Sequence, residues 1–386
     1  MKIFFAADNP NAFLHGIHFH RVTVPISGLD KRGHGTAIIV PGDNTGEDTL
    51  NWPDVVVFAR TYHPNQKPIE LMRQFKGHGK RIIWDIDDDF WAVNPDNPSI
   101  LVSNAYKDQY ETFVREADAI TTPSEVLAKK LRKLTKKPIF ICPNAIDFNR
   151  YKDRPKMHNE LIVGYAGASS HWGDLNLIGD VILKLQEKYE FAFVLYGLMG
   201  APVESEMYVM QELLRRNATP EKNPYFTNAL KWWEKMRMIK VYPHIPFHVP
   251  FFTPLLHPFK LSSLDFDIGI APLEDNEFNR GKSCIKFYEY AATGSATLAS
   301  DVLPYSKEVD YRAKNTVDDW YKKLERLIVD KEFREELYQK QRKWVIENRS
   351  IEKVALSWEL ALQAPGGLKV KNQDENYTPS IQPSSI

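Results

Sequence analysis

Three charged residues, Lys282, Lys286 and Glu289, stand four and three positions apart within LDFDIGIAPLEDNEFNRGKSCIKFYEYAATGSATLAS, residues 264–300. On a helix that spacing puts them on one face. Ile285, Tyr288 and Ala292 fall on the other face, where a sheet can cover them. The preceding run DIGIAPL has the length and composition of a strand. A polar loop follows, a helix is expected from about Ser283, and Gly294 supplies its stop. A helix N-terminus after a strand offers free N–H groups and a positive dipole end to phosphate. Two cations beside it suit a diphosphate. A carboxylate one or two turns further in can accept from both hydroxyls of a ribose. The bland alternative is a solvated face with an ion pair, and the strand–loop–helix context favours the site. Lys282 and Lys286 are therefore read as acting on the diphosphate and Glu289 on the ribose. Arg280 and Ser283, in the same loop, are further donor-side candidates.

Other segments carry weaker signals. GYAGASSHWGDL, residues 164–175, has the small residues of a phosphate-approaching turn; Gly167, Ser169, Ser170 and His171 are its candidates. An ordinary tight turn explains it as well. WDIDDDFW, residues 84–91, follows an expected strand. Its Asp87 and Asp88 could hold a divalent metal, or orient and deprotonate an acceptor hydroxyl; solvated acids at a helix start are the plain alternative. NAFLHGIHFHRVTVPISGLDKRGH, residues 11–34, contributes Gly16, His18 and Arg21 as acceptor-side candidates, and Arg60 ends VVVFAR. His18 and His20 are two apart and share no helix face, which argues against a zinc pair.

YEYAATGSATLAS resembles the E-A-x-A-x-G-x-P-V-V stretch of the retaining nucleotide-sugar glycosyltransferases of the group 1 family, which have the GT-B fold. Glu289 matches the glutamate that holds the donor ribose in that family. Gly281 stands where the family usually has a second glutamate, and Ala296 where it has proline. The variant FNRGKS-x-I-K-x-x-E-Y is similar to a subgroup of bacterial surface-polysaccharide and phage gene clusters. LDKRGH resembles the family's L-x-x-x-G-H before its second strand, and Gly16 matches its glycine-bearing loop. TPSEVLAKKL and PIFICPNAID resemble its T-P-S and P-N-G-V-D elements near the end of the first domain. The resemblance covers about residues 1–350. It implies an α/β chain with two Rossmann-like domains facing across a cleft. It also implies sugar transfer from a nucleotide diphosphate sugar to a hydroxyl, with retention. GT-B enzymes use side chains and a helix dipole, so neither a metal nor a cofactor beyond the donor is expected.

The elements agree with that architecture. Short apolar strands alternate with helices through residue 147, and the pattern restarts after a polar linker. The expected division is an acceptor-side domain over 1–155 and a donor-side domain over 156–315 with a helical insertion at 201–239. Helices over 316–363 brace the two, and a disordered tail covers 364–386. Fifty basic and fifty acidic residues balance, so no net field recruits nucleic acid. Two cysteines imply no disulfide framework, and MKIFFAADN reads as a strand rather than a leader, pointing to the cytoplasm. The acceptor is expected to be a glycan, a lipid-linked precursor or a hydroxymethylated DNA base, with peripheral membrane contact and a homo-oligomer both open. A nucleotide-sugar epimerase and a non-catalytic nucleotide-sugar-binding subunit are the rival classes.

Overall fold

A computed structural model of the chain describes residues 1–6, 18–40, 45–60, 67–94, 97, 99–151, 158–168, 171–197, 224–249 and 255–364. Two six-stranded parallel sheets form its frame. The first contains β1 (Lys2–Ala6), β2 (Gly35–Ile39), β3 (Val55–Ala59), β4 (Arg81–Asp85), β5 (Ala119–Thr122) and β6 (Ile139–Ile141), in the order β2-β1-β3-β4-β5-β6. Ile3 pairs with Thr36 on one side and Val55 on the other, fixing the register at the centre. The second contains β7 (Ile162–Ala166), β8 (Ala192–Tyr196), β9 (His248–Val249), β10 (Ile268–Ala271), β11 (Ala296–Ser300) and β12 (Arg312–Ala313), in the order β12-β11-β10-β7-β8-β9.

These strands are apolar runs, not alternating ones, because both faces are covered. All of VVVFA in β3 is buried, as are β7, β8, β10 and β11. Each sheet reverses its strand order once, between β1 and β3 and between β7 and β10. Ligands of open parallel sheets bind at the carboxyl ends of strands beside such a reversal. The loops after β1, β3, β7 and β10 therefore flank the expected ligand position.

Local signals set several helix boundaries. Ser124 caps the helix Glu125–Leu134 by accepting from the Leu127 N–H at 3.3 Å. Gly294, at φ 96°, ends the helix Ile285–Thr293, a conformation that a side chain would strain. Gly269 in β10 is needed for a different reason. A Cβ there would lie 2.4 Å from the Tyr290 ring, which crosses the strand. That ring's hydroxyl accepts from the Ala166 N–H at 2.8 Å and donates to the Ile270 carbonyl at 3.1 Å. The site helix is thus pinned to β7 and β10 together.

Within the insertion, the described helix Pro224–Met236 packs on the second domain, with Trp232 in its core against Phe193. Residues 198–223, which include Arg215 and Arg216, lie outside the described residues, as does the tail from 365. After the helices Val317–Val329 and Lys331–Arg349 the chain returns to the first domain. The Ile146 N–H donates to the Arg349 carbonyl and the Ile351 N–H to the Ile146 carbonyl, at 2.8 and 2.9 Å. The helix Ile351–Gln363 then lays Ile351, Val354 and Trp358 against Ile3, Phe5 and Val57. Trp358→Ala should lower the unfolding free energy by about 3–5 kcal/mol through the cavity it leaves. Urea denaturation checks this; an unchanged midpoint would show that the returning helix contributes no core.

Candidate functional site

Described residues from the segments that follow these four strands come together: His20 reaches Glu289, Arg60 holds Asp88, and His171 and Asp88 interact with the lysines after β10. Beyond β10, Asn276 caps a short turn, Glu277–Arg280, accepting from the Asn279 N–H at 2.8 Å. Lys282 follows in the connecting turn, and the helix begins only at Ile285. The expected shared helix face is therefore corrected: Lys282 precedes the helix and only Lys286 and Glu289 lie on it. The expected two-sidedness is corrected too. Tyr288 and Ala292 are buried as expected, but Glu289, on the charged face, is buried as well, because His257, Tyr151 and His20 from other segments close over it. Tyr288 bonds Glu308 at 2.5 Å and accepts from the Arg349 Nε at 3.0 Å.

The two lysines nevertheless lie near enough to repel each other. Lys282 Nζ lies 4.9 Å from the centre of the Phe278 ring, and Lys286 Nζ 5.6 Å from that of Tyr165. Among the described residues neither has a carboxylate oxygen within 4.0 Å. Burial, then the nearby Lys282, push the Lys286 ammonium down to about 8, against the opposing pull of Asp174, Glu289 and Asp88. The same two cations reach His171, at the start of the helix that follows β7. Burial, then Lys282 and Lys286, depress its imidazole to about 3, so it is neutral. His171 Nδ1 is 2.6 Å from Asp174 Oδ2, and Asp174 Oδ1 accepts the Glu274 N–H at 2.6 Å. A neutral ring donating from Nδ1 to a carboxylate keeps Nε2 as an acceptor.

Glu289 is buried beside them, 4% exposed. Its Oε1 receives three groups: His257 Nε2 at 2.7 Å, the Tyr151 hydroxyl at 3.3 Å and His20 Nε2 at 3.4 Å. Burial opposes its charge, but His257 and His20 outweigh burial and hold the carboxyl far below the usual range. His257 is itself stacked on Tyr196 at 5.4 Å, with Nδ1 3.1 Å from that hydroxyl.

The first domain contributes a second charged group. Arg60, directly after β3, has φ 43° and lies over Phe90 at 4.6 Å. Its guanidinium approaches Asp87 at 3.6 Å and Asp88 at 3.2 Å. Burial pushes the Asp87 carboxyl up to about 6; Arg60 opposes this, while Asp88 and Asp85 add to it. Among the described residues no group of three or more His, Cys, Asp or Glu side chains could hold a metal ion.

Other sequence candidates lie elsewhere. Arg21 is 1% exposed and clamps Asp85, through Nε at 3.0 Å and Nη2 at 2.5 Å. Its Nη1 donates to the Cys142 carbonyl at 2.6 Å and to Asn144 Oδ1 at 2.9 Å. Its expected acceptor-side role is corrected to a positioning one, since the guanidinium is enclosed by its own domain. Arg280 forms a two-pronged exposed pair with Asp275 at 2.6 and 3.0 Å. His18 is buried at the start of the π-helical turn Phe19–Thr23. Gly167 donates its N–H to the Tyr196 carbonyl at 2.9 Å, holding β7 to β8. Ser283 accepts from Asn144 at 2.8 Å across the two domains. Gly16, Ser169 and Ser170 lie outside the described residues.

Sequence reasoning missed His257, Tyr151, Tyr196, Asp174 and Asn144. Asp174 sits three residues after His171, a spacing that could have paired them on one helical turn. The others come from distant segments with no local signature.

No protein-family model matches the sequence, and no curated protein sequence matches it. Solved structures do. The chain is similar to an alpha-glucosyltransferase in complex with UDP-glucose and DNA containing an abasic site, with a TM-score of 0.62 and 13% identity over 94% of this chain and 99% of that one. This chain has the GT-B fold. Trehalose-6-phosphate synthase OtsA gives a TM-score of 0.59 and 11% identity over 94% and 98% of the two chains. TarM gives 0.51 and 14%, over 80% of this chain and 55% of its own, so this chain spans about half of TarM's length. In GT-B terms, Arg21 ties the first domain's strand ends to the loop that enters the cleft. Arg21→Ala should cost about 3–5 kcal/mol by stranding Asp85 in the interior. Adding Asp85→Ala should restore part of that loss in the same denaturation assay.

Proposed function

We propose that the protein transfers a sugar from a nucleotide diphosphate sugar to a hydroxyl acceptor, with retention at the anomeric carbon, in the cytoplasm. The observation that carries this reading is the lysine pair, which has no carboxylate within 4.0 Å among the described residues and lies at the strand reversal between β7 and β10. A site with unneutralised cations favours a ligand bearing more than one negative charge. Beside it the ionised Glu289 keeps Oε2 for ligand hydroxyls, since all three of its polar contacts described above fall on Oε1.

The work to be done is leaving-group stabilisation. The bond from the anomeric carbon to the diphosphate oxygen breaks, and negative charge grows on that oxygen. Lys282 and Lys286 face this charge without needing to reorganise. The acceptor oxygen bonds the anomeric carbon on the same face, and its proton passes to the departing diphosphate. Asp87 and Asp88, held by Arg60, orient the acceptor hydroxyl by accepting its hydrogen bond. His171 Nε2 accepts from a donor hydroxyl. Both cysteines are free and buried, in keeping with a reducing compartment.

Lys286→Ala should lower kcat by about 10²–10³-fold, the usual loss for one preorganised group at a developing anion. Glu289→Ala should weaken donor binding by about tenfold or more, as for a charged hydrogen bond. Nucleotide release and thermal shift with UDP-, GDP-, ADP- and CMP-sugars measure both; wild-type behaviour in both variants would remove the reading.

The pH profile of kcat/KM should have two limbs. Lys286 acts as a cation, so activity falls as pH rises through about 8. Asp87 acts as an anion, so activity falls as pH drops below about 6. Fold stability should move the opposite way at the alkaline limb. The unfolded chain binds the Lys286 proton more tightly, so stability rises with pH between about 8 and the ordinary lysine value. Lys286→Arg should displace the alkaline limb upward.

A further inference from the structure

One aromatic side chain of the second domain is built into the core of the first. Phe278 lies in the short turn Glu277–Arg280, after β10. It is 2% exposed, and it belongs to the first domain's apolar cluster, with Phe90, Val93 and Tyr110. A phenyl ring gains most from leaving water when apolar neighbours enclose it. Here those neighbours belong to the other domain, so the turn is anchored across the cleft and not only by its own sheet.

Polar contacts seat the same turn on the same partner. Before the ring, Lys130 joins Asp89 to Glu277 at 2.8 and 3.0 Å. After it, Ser124 donates to the Gly281 carbonyl at 2.6 Å and Asn144 to Ser283 at 2.8 Å. Asp89, Ser124, Lys130 and Asn144 all belong to the first domain. Exposed ion pairs such as Lys130–Glu277 contribute little alone, so the enclosed ring is the main anchor. Lys282 is tied to that anchor. Its Nζ lies 4.9 Å from the centre of the Phe278 ring, within cation–π range. Its N–H donates at 3.1 Å to the carbonyl of Asn279, the residue after Phe278. The other charged groups around the pair are Asp174, Glu289 and Asp88, with His171 and the Tyr165 ring close by.

We propose that Phe278 is a positioning residue for the transfer: seated in the first domain's core, it holds Lys282 near Lys286, so that the two domains assemble the cation pair jointly. The proposal rests on the transferase reading for what the pair acts on. Plain interface packing is the alternative. It would stabilise the fold without deciding where the Lys282 charge stands.

The test uses the full chain and two readouts: NMR titration of isotope-labelled lysine side chains, with the Lys286 signal assigned from Lys286→Arg, and calorimetric binding of inorganic pyrophosphate. Lys282→Met removes the repelling charge, so the Lys286 titration should move to higher pH. Phe278→Ala should move it the same way, because Lys282 loses its seat. In the Lys282→Met background Phe278→Ala should add no further shift, since no cation is left for the ring to place. A merely structural effect would admit water around Lys286 and shift it in both backgrounds. Pyrophosphate affinity should fall about tenfold in Phe278→Ala, as for one lost charged contact. It should return to within about threefold of wild type in Phe278→Leu, which refills the cluster. Phe278→Val carries the same comparison if Phe278→Ala does not fold. An unmoved Lys286 titration, an added shift in the double variant, or a Phe278→Leu protein as weak as Phe278→Ala would overturn the proposal. A wild-type protein that behaves as stated but shows no thermal shift with UDP-, GDP-, ADP- or CMP-sugars would instead refute the transferase reading and leave the role of Phe278 standing.

Discussion

Two ammonium groups held near one another, with no carboxylate to neutralise them, are the constraint on which the cleft depends. Left to itself a flexible loop would separate them or recruit an acid. Here the backbone forbids both. The Lys282 N–H is bonded to the Asn279 carbonyl at 3.1 Å, Gly281 is held by Ser124, and Ser283 by Asn144. Lys286 rides on a helix fastened at Tyr290 to β7 and β10, and at Tyr288 to the Glu308–Arg349 pair. The repulsion persists because the surrounding packing over-determines the positions that create it. A bound polyanion would relieve it, so the arrangement favours negative charge at this place.

The first domain is part of the same device. Asp85, Arg21, Asn144 and Ser283 form one hydrogen-bonded series from the end of β4 to the donor loop. His20, from the segment after β1, reaches Glu289 on the other domain. Tyr151, where the chain leaves the first domain, reaches the same oxygen. The surroundings of Glu289 are therefore not the property of the second domain alone. Contacts from both domains set the ionisation of Glu289.

Much of this was legible in the residues. Parallel strands such as VVVFA and IVGYA announce themselves as apolar runs, and Ser124 and Gly294 mark helix ends by local chemistry alone. The lysine pair was legible from its context after a strand. The burial of Glu289 on the charged face was not, because it depends on His257, Tyr151 and His20, which come from distant segments. Arg21 was misread for a similar reason: Asp85, Cys142 and Asn144 come together around it only through the sheet. His257 had no local signal either, since its role is set by Glu289 and Tyr196.

The distribution of charge among neighbours has its own logic. Asp174 and Glu289 flank the lysines, yet neither neutralises them, because each is already engaged: Asp174 by His171 and the Glu274 N–H, Glu289 by two histidines and a tyrosine. Anions tied up in this way lend long-range attraction that keeps Lys286 protonated near neutrality without taking its hydrogen bonds. An acid placed in direct contact would have stabilised the cations more, and would then have competed with a diphosphate for them. Engaging the carboxylates with neutral and imidazole donors separates the two requirements, so the lysines stay charged and stay available.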